Sequence, residues 1–124
     1  KLKEIAYVHA EALPAGELKH GTLALIEPGV PAVALATQPH LVDKVLNNLK
    51  EVKARDGEVF LIAMDRQRDF SEAADEVLLI PPTHPALAPL LTALPMQLMA
   101  YYAAAARGCD VDKPRNLAKS VTVE

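Results

Sequence analysis

The stretch VPAVALAT, residues 30 to 37, decides the fold class of this chain. It is almost wholly apolar, it is too short and too continuous for an exposed helix, and the turn-forming residues EPG precede it. A short, continuous apolar run of this kind is typical of a strand buried in a sheet. The sequence therefore predicts that the middle of this stretch forms a buried strand.

Outward from that strand, the pattern alternates between helix and strand. A helix from His40 to a stop at Gly57 is predicted by one apolar face, which comprises Val42, Val45, Leu46, Leu49 and Val52. Two further strands are predicted at EVFLIA, residues 58 to 63, and EVLLI, residues 76 to 80, with a polar loop containing a helical turn between them. This order predicts an α/β fold with an open parallel sheet covered on both faces.

Helices are also predicted before the first strand and after the last one, and residues 109 to 124 are predicted to be a polar tail. Residues 1 to 12 have apolar spacings of three and four, and PAGELKHG, residues 14 to 21, has proline at the start and glycine at the end of a short helix. A further helical turn is predicted at residues 22 to 26. A long helix is predicted at residues 87 to 107, kinked or broken near residue 94 by Pro95 and closed by Gly108.

Composition predicts a single globular domain. The chain has 124 residues, 51% of them hydrophobic and 23% charged, with a net charge of -3 and no run of like charge that could follow a nucleic acid. The lone Cys109 fits a reducing compartment, so we expect a cytoplasmic protein. We expect no membrane segment, because no apolar run is expected to reach the roughly 18 to 20 residues that span a bilayer.

The chain begins without Met, inside a helix-like pattern, and three strands make a thin sheet. We therefore expect a piece of a longer protein, in which an upstream strand would complete the sheet.

Three candidate catalytic residues follow from side-chain chemistry, each with a simpler alternative. Lys1 and Glu4 lie three apart and share a helix face, where they could meet one substrate or form only a surface ion pair. His20 suits acid–base work near neutral pH, but a cation at a helix C-terminus is favoured in any case. Glu17 and Lys19 beside it are predicted to be a solvated face.

Other reactive side chains give weaker signals. His9 and His40 lack partners at metal-ligand spacing, and no glycine-rich phosphate loop is present, so we predict no metal and no cofactor. Cys109 adjoins Asp110 and is predicted to be an ordinary thiol. Lys119 could be a solubilising charge or, if desolvated, an amine nucleophile. Tyr101 and Tyr102 are predicted to pack the last helix against the sheet.

Three stretches carry a resemblance to a known family. They are KLKEIAYVHAEALPAGELKHGTLALIEPG from residue 1, LPMQLMAYYAAAARG from residue 94 and DVDKPRNLAKSVTVE from residue 110. They closely resemble the C-terminal part of the glutamine-dependent fructose-6-phosphate aminotransferases (isomerizing), the glucosamine-6-phosphate synthase family. One departure is Thr22, where that family usually has proline.

The resemblance implies a sugar isomerase (SIS) domain, a flavodoxin-like parallel sheet between helices that is incomplete in this chain. Residues 1–108 would be the second SIS lobe, truncated at its N-terminus, and residues 109–124 a tail that closes over the sugar.

Catalytic roles are also implied by the resemblance. Glu4 would move a proton between C1 and C2 of the open-chain sugar, and Lys1 would stabilise the charge that develops. His20 would open the sugar ring, acting in the neighbouring subunit's site. Lys119 would form an imine with the C2 carbonyl, with Arg115 as a cation that could lower its pKa, and Ala118 would contact the substrate.

The implied reaction converts fructose 6-phosphate and glutamine-derived ammonia to glucosamine 6-phosphate. The implied partners are a glutaminase domain and a first SIS lobe of the same enzyme, in a homodimer. We expect the 124-residue piece alone to be inactive, since the family's phosphate-binding loops belong to the first lobe. The alternative is a non-catalytic SIS sensor that binds a phosphosugar and signals to a partner domain.

Overall fold

A computed structural model describes residues 1–117 of the chain. Its sheet contains three parallel strands in the order β1 (Pro31–Ala36), β2 (Glu58–Ala63) and β3 (Glu76–Leu79). The helices are α1 (Leu2–Ile5), α2 (Val42–Lys53) and α3 (Ala88–Ala106), with short 3₁₀ helices at Ala15–His20, Thr22–Leu25, Pro39–Leu41 and Pro85–Leu87. The predicted α/β fold with a parallel sheet is confirmed.

Two compact units divide the chain. One is formed by residues 12–92 and contains the sheet, and the other by residues 1–11 together with residues from Ala93 onward. The predicted division into a lobe of residues 1–108 and a tail of residues 109–124 stays a prediction.

The core of the first unit lies between α2 and the sheet. The predicted apolar face of α2 is confirmed, because Leu49 and Val52 are buried against Val59 and Leu61 of β2. The connection from β2 to β3 adds Phe70, Ala73 and Ala74 to the same core. The helix is therefore held to the sheet by apolar burial, which contributes about 1.5–3 kcal/mol for each large side chain removed from water.

Burial differs between the strands. Val59, Leu61 and Ile62 of β2 are almost wholly inaccessible, as expected for a strand with a neighbour on each edge. In β1 only Ala36 is buried, and Leu35 is 43% exposed. The prediction that the first strand is buried is therefore wrong for most of its residues, because the residues described here cover mainly the face that carries Ala32, Ala34 and Ala36.

The N-terminal helix is shorter than predicted. It ends at Ile5, and Tyr7 has a φ of 55°, in the left-handed region that an α-helix of L-residues does not contain. Ile5 and Ala6 are buried with Ala100 and Ala104 of α3. The apolar spacing over residues 1 to 12 therefore reflects packing of a short helix, and not a three-turn helix.

Helix α3 continues through Pro95. The predicted break there is wrong, and the predicted kink stays a prediction. The predicted stop at Gly108 is confirmed. Gly108 has a φ of 68°, its N–H donates to the carbonyl of Ala105, and the N–H of Cys109 donates to that of Ala104. These two bonds form a Schellman motif, which satisfies carbonyls left free at the helix end.

The segment Pro85–Ala106 is 22 residues long and carries no charged side chain, so by length and composition alone it could cross a membrane. The expectation that no run reaches that length is wrong. A single helix of this kind is weak support for a membrane segment, because core helices of other proteins have the same composition.

Much of α3 is exposed, and it carries an apolar stripe at helical spacing. The stripe, which we call the α3 stripe, consists of Leu90, Leu94, Leu98 and Tyr101, preceded by Leu87 at the end of the 3₁₀ helix Pro85–Leu87. Tyr102 is also exposed, and its ring meets that of Tyr101 edge to face at 5.4 Å between centroids. The prediction that both tyrosines pack against the sheet is therefore wrong.

Gly57 is required for space. Its φ is not in the left-handed region, which Asp56 occupies instead with a φ of 58°. A Cβ at residue 57 would lie 2.7 Å from both Ile26 Cγ2 and Val52 Cγ1. Helix α2 ends at Lys53, four residues before the stop predicted at Gly57. Glycine is required at residue 57 because a side chain would not fit there, and not because it ends the helix.

Gly57→Ala should destabilise the protein by about 1–3 kcal/mol, because the added methyl overpacks the contact of Ile26 with Val52. Urea unfolding would measure the change. Gly16→Ala is the matched control, since a Cβ there meets no atom within 4 Å, and it should change the free energy of unfolding by less than about 0.5 kcal/mol. Equal effects of the two substitutions would contradict the packing argument.

Candidate functional site

The strongest polar contact among the predicted site residues joins Lys1 and Glu4. The Lys1 Nζ donates to both carboxylate oxygens of Glu4, at 3.0 Å and 2.8 Å. Both side chains remain partly exposed, at 54% for Lys1 and 39% for Glu4. The structure thus brings these two predicted residues together on one face of α1, open to solvent and to a ligand.

The pair sets the charge of Glu4. The hydrogen bonds from Lys1 hold the pKa of Glu4 below its ordinary value, and the positive charge of Lys1 acts in the same direction. Glu4 is therefore ionised at neutral pH and can accept a proton. The ammonium that holds it lies where negative charge on a bound substrate would also be stabilised.

His20 lies in the other compact unit, at the end of the 3₁₀ helix Ala15–His20, and is exposed. Two neighbours hold this helix in place. Leu18 packs on the core, and the Lys19 Nζ lies 3.5 Å from Glu51 Oε1 of α2. Lys19 thus has a structural contact that the sequence did not indicate, while Glu17 is exposed as predicted.

His20 lies at the junction of two 3₁₀ helices. Gly21, with a φ of 142°, follows it directly and begins the next 3₁₀ helix, Thr22–Leu25. An exposed imidazole on an anchored turn can exchange protons with a bound molecule.

Two predicted residues, Ala118 and Lys119, lie outside the described residues. The tail that leads to them is described as far as Leu117. Within it, the backbone N–H of Arg115 donates to the Tyr7 hydroxyl at 2.8 Å, and the Arg115 guanidinium lies over the Tyr7 ring, 4.2 Å from its centroid. Sequence reasoning missed Tyr7, because its partner Arg115 lies 108 positions away in the sequence and Tyr7 belongs to no periodic pattern.

The remaining candidates have ordinary surroundings. His9 is exposed, with its Nε2 3.8 Å from Glu11 Oε1. Cys109 is half-buried beside the cluster of Ile5 and Ala104. Within residues 1–117, no three His, Cys, Asp or Glu side chains are grouped as metal ligands.

A surface hollow of about 320 Å³ lies between α2 and the connection from β2 to β3. Its lining includes Asp43, Lys50, Phe70 and Glu72, and none of the predicted catalytic residues. Lys50 is already paired with Glu72 there at 2.6 Å. The positive charge of Lys50 is therefore already neutralised by Glu72, and the hollow is a poor site for an anion.

Residues 1–107 match the SIS domain family. The chain belongs to the SIS domain family. The predicted SIS fold is thereby confirmed. The resemblance of the three quoted stretches, the last of which begins at residue 110, is confirmed by relatives that align over all 124 residues.

Relatives and a solved structure extend this finding. All 124 residues of this SIS domain align with proteins named glutamine–fructose-6-phosphate aminotransferase (isomerizing): at 60% identity in Caldanaerobacter subterraneus subsp. tengcongensis, 55% in Methanosarcina acetivorans and 53% in Thermus thermophilus. The chain spans 20% of the length of each. It also matches the C-terminal domain of glucosamine-fructose-6-phosphate aminotransferase from Francisella tularensis, with a TM-score of 0.81 and 43% identity over 91% of this chain and 32% of that one.

Lys1→Met should raise the pKa of Glu4 toward that of an exposed glutamate, because the hydrogen bonds that favour the carboxylate are lost. An NMR titration of the Glu4 carboxyl carbon would measure the shift. Since the folded-state pKa is the lower one, the contribution of the pair to stability is present at neutral pH and disappears as pH falls through that folded-state pKa.

Lys3→Met is the control, because Lys3 is an exposed lysine on the same helix. It should leave the Glu4 titration nearly unchanged. A Glu4 titration that is the same in Lys1→Met and wild type would show that the ion pair does not form in solution.

Proposed function

We propose that this chain is the second SIS lobe and the tail of the isomerase part of a glutamine–fructose-6-phosphate aminotransferase. In the longer protein it would help to convert fructose 6-phosphate and glutamine-derived ammonia to glucosamine 6-phosphate, in the cytoplasm. One observation carries the proposal: the Lys1–Glu4 pair belongs to a chain that aligns throughout, at 60% identity, with an aminotransferase of that name.

Glu4 would act as the base that moves a proton between C1 and C2 of the sugar. Its ionised carboxylate on an exposed helix face supports this role. Lys1 would stabilise the enolamine or enolate by its positive charge, so the ion pair seen here would be shared with the sugar during the reaction. A base with a lowered pKa is weaker, and the charge of Lys1 on the developing anion offsets that weakness.

His20 would open the sugar ring as an acid–base catalyst, in the site of a neighbouring subunit. Its exposure on an anchored turn supports a role toward a molecule outside its own unit. Lys119 would then add through its Nζ to the C2 carbonyl, and the carbonyl oxygen would leave as water when the imine forms.

The partners proposed for this lobe are the first SIS lobe and the glutaminase domain of the same enzyme, within a homodimer. The α3 stripe supports a protein partner, because Leu90 and Leu94 are 71% and 61% exposed on a helix without charged residues. Exposed apolar patches of this kind are typical of interaction surfaces.

In the full-length enzyme, Glu4→Gln should reduce solvent deuterium incorporation into the sugar phosphate at least about a hundredfold, because the amide cannot accept the proton. Mass spectrometry of the product would measure the incorporation. Glu17→Gln, an exposed glutamate on the 3₁₀ helix beside His20, is the control and should leave the rate nearly unchanged. A wild-type protein that binds fructose 6-phosphate without any exchange would instead support the phosphosugar sensor.

Mixing subunits would test the role of His20 in the neighbouring site. Glu4→Gln and His20→Asn subunits should each be inactive alone. In a mixed dimer, one site receives an intact Glu4 and, from the partner, an intact His20. Random mixing should therefore restore about one quarter of the wild-type activity. If His20 served its own subunit's site, every site would carry one lesion and the mixture would stay inactive.

Leu90→Glu combined with Leu94→Glu should leave the stability of this chain alone nearly unchanged, because both side chains are exposed in it. In the full-length enzyme the same pair should lower the melting temperature or dissociate subunits, since burying two carboxylates without partners costs several kcal/mol. Leu25→Glu, an exposed leucine of the 3₁₀ helix Thr22–Leu25, is the control. Identical melting of the full-length double variant and wild type would contradict a partner on the stripe.

A further inference from the structure

The stretch that carries His20 is anchored to the core at both of its ends. Leu18 packs against the core cluster before His20, and Leu23 is buried in the same cluster after it. The residues between these two anchors, 19 to 22, are exposed or only half-buried. Apolar packing therefore fixes the ends of this stretch, but not the exposed backbone that carries the imidazole.

Gly21, directly after His20, is the flexible joint of this stretch. Its φ of 142° lies in the region that favours glycine, and a Cβ built on it would meet no atom within 4 Å. Neighbouring atoms thus leave the space beside it open, and glycine has the widest range of backbone conformations of any residue. The position of His20 therefore depends on the contact made by its other neighbour, Lys19.

Lys19 connects this exposed backbone to α2. Its Nζ lies 3.5 Å from the Glu51 Oε1, and this is the one side-chain ion pair of residues 19 to 22 within the part of the chain that the structure describes. Arg55 holds the other carboxylate oxygen, because its Nη1 donates to the Glu51 Oε2 at 3.2 Å and to the Glu51 carbonyl at 2.7 Å. Glu51 is thus fixed through one oxygen by its own helix and presents the other to Lys19.

Glu51 carries its negative charge at neutral pH. The hydrogen bond from Arg55 lowers the pKa of Glu51, and the charge of Lys19 acts in the same direction. An isolated exposed ion pair contributes little to stability, because two long side chains must be ordered to form it. Here Arg55 already orders the carboxylate, so Lys19 can join it at a smaller loss of side-chain freedom.

We propose that Glu51 and Lys19 are positioning residues for His20. Together with Arg55 they form a network, which we call the Glu51 clip, that holds the imidazole where it meets the sugar in the neighbouring subunit's site. This inference rests on the proposed function, because it requires that His20 open the sugar ring. None of the three residues of the clip touches the sugar in this proposal, and all act through the backbone beside His20.

Ring opening depends on where the imidazole lies. The bond between C2 and the ring oxygen breaks, a proton is added to that oxygen to give the C5 hydroxyl, and the C2 hydroxyl loses its proton as it becomes the carbonyl. One proton is gained and one is lost, so the step consumes no other reactant. A group that transfers these protons must lie within hydrogen-bond reach, and a displacement of about 1 Å can cost up to about a hundredfold in rate. Opening the Glu51 clip should therefore lower the rate at saturating sugar more than it raises KM.

Exchange between the two ring anomers of fructose 6-phosphate would test the Glu51 clip in the full-length enzyme. Anomer exchange requires the ring to open and close but needs no proton transfer between C1 and C2, and NMR exchange spectroscopy measures its rate at saturating sugar without glutamine. Glu51→Gln and Lys19→Met should each slow the catalysed exchange about three- to tenfold. Lys19→Arg keeps a cation at this position and should keep at least about half of the wild-type rate.

A matched control and a double substitution separate the clip from a general loss of charge. Glu72→Gln removes another exposed ion pair of α2, the pair of Lys50 with Glu72 that joins the helix to the connection from β2 to β3, and should leave the exchange rate nearly unchanged. Glu51→Gln combined with Lys19→Met should slow exchange no more than either alone, because both remove the same contact. Additive losses would contradict the clip.

A sugar that cannot form a ring distinguishes positioning of His20 from damage to the fold. 5-Deoxyfructose 6-phosphate lacks the hydroxyl that closes the furanose ring, so Glu4 can act on it without ring opening. Glu51→Gln should therefore incorporate solvent deuterium into this analogue at the wild-type rate, although it opens fructose 6-phosphate more slowly. Equal slowing with both sugars would show that the substitution only disturbs the structure, and would overturn the Glu51 clip.

Failure of the proposed function would look different. A His20→Asn enzyme that accelerates anomer exchange as well as wild type would reject ring opening by His20, and with it the basis of this inference. Loss of exchange in His20→Asn, together with the wild-type rate in Glu51→Gln, would overturn the Glu51 clip alone.

Discussion

Parallel pairing of β2 with a strand on each edge is the constraint on which residues 12–92 depend. Its backbone is satisfied on both sides by β1 and β3, and its side chains Val59, Leu61 and Ile62 are almost wholly buried. A parallel neighbour cannot follow through a tight turn, so each connection must cross one face of the sheet. The helix α2 is the crossover from β1 to β2, and its apolar face packs on the face of the sheet that it crosses.

Asp75 ties these elements together at the start of β3. Its carboxylate accepts the N–H of Val59 at 2.8 Å and pairs with Lys53 of α2. The hydrogen bond from Lys53 lowers the pKa of Asp75, and the N–H of Val59 acts in the same direction. One side chain thus joins the end of α2, the start of β2 and the start of β3, on an otherwise apolar frame.

The sequence predicted those parts of the fold in which local pattern and packing agree. The three strands and α2 follow from apolar runs and a one-sided helix face, and the stop at Gly108 follows from the preference of glycine for positive φ. The end of α1 could not be predicted from local spacing, because Ile5 and Ala6 are buried against Ala100 and Ala104, which lie almost a hundred residues further along the chain. Helix α3 also continues through Pro95, although proline there removes a backbone donor, and the sequence pattern did not predict this continuity.

For the candidate site, spacing predicted only that Lys1 and Glu4 could meet, and the structure shows that they do. The chemical roles of His20 and Lys119 came from resemblance, since an exposed histidine and a tail lysine have no spacing signal of their own. Gly57 shows a related limit. The sequence pattern does not tell whether glycine stands there for a positive φ or because neighbouring side chains leave no room for a Cβ, and the structure shows the second reason.

The Schellman motif at the end of α3 has a consequence for variation in this part of the chain. After Gly108 turns the backbone through main-chain hydrogen bonds, the Asp110 carboxylate accepts the N–H groups of Asp112 and Lys113 on the way to Tyr7. A single insertion or deletion in this interval would take Arg115 out of register with the Tyr7 ring, and loss of the Asp110 carboxylate would leave two N–H groups of the turn without their acceptor. Selection would therefore hold constant both the length of this loop and its residue 110.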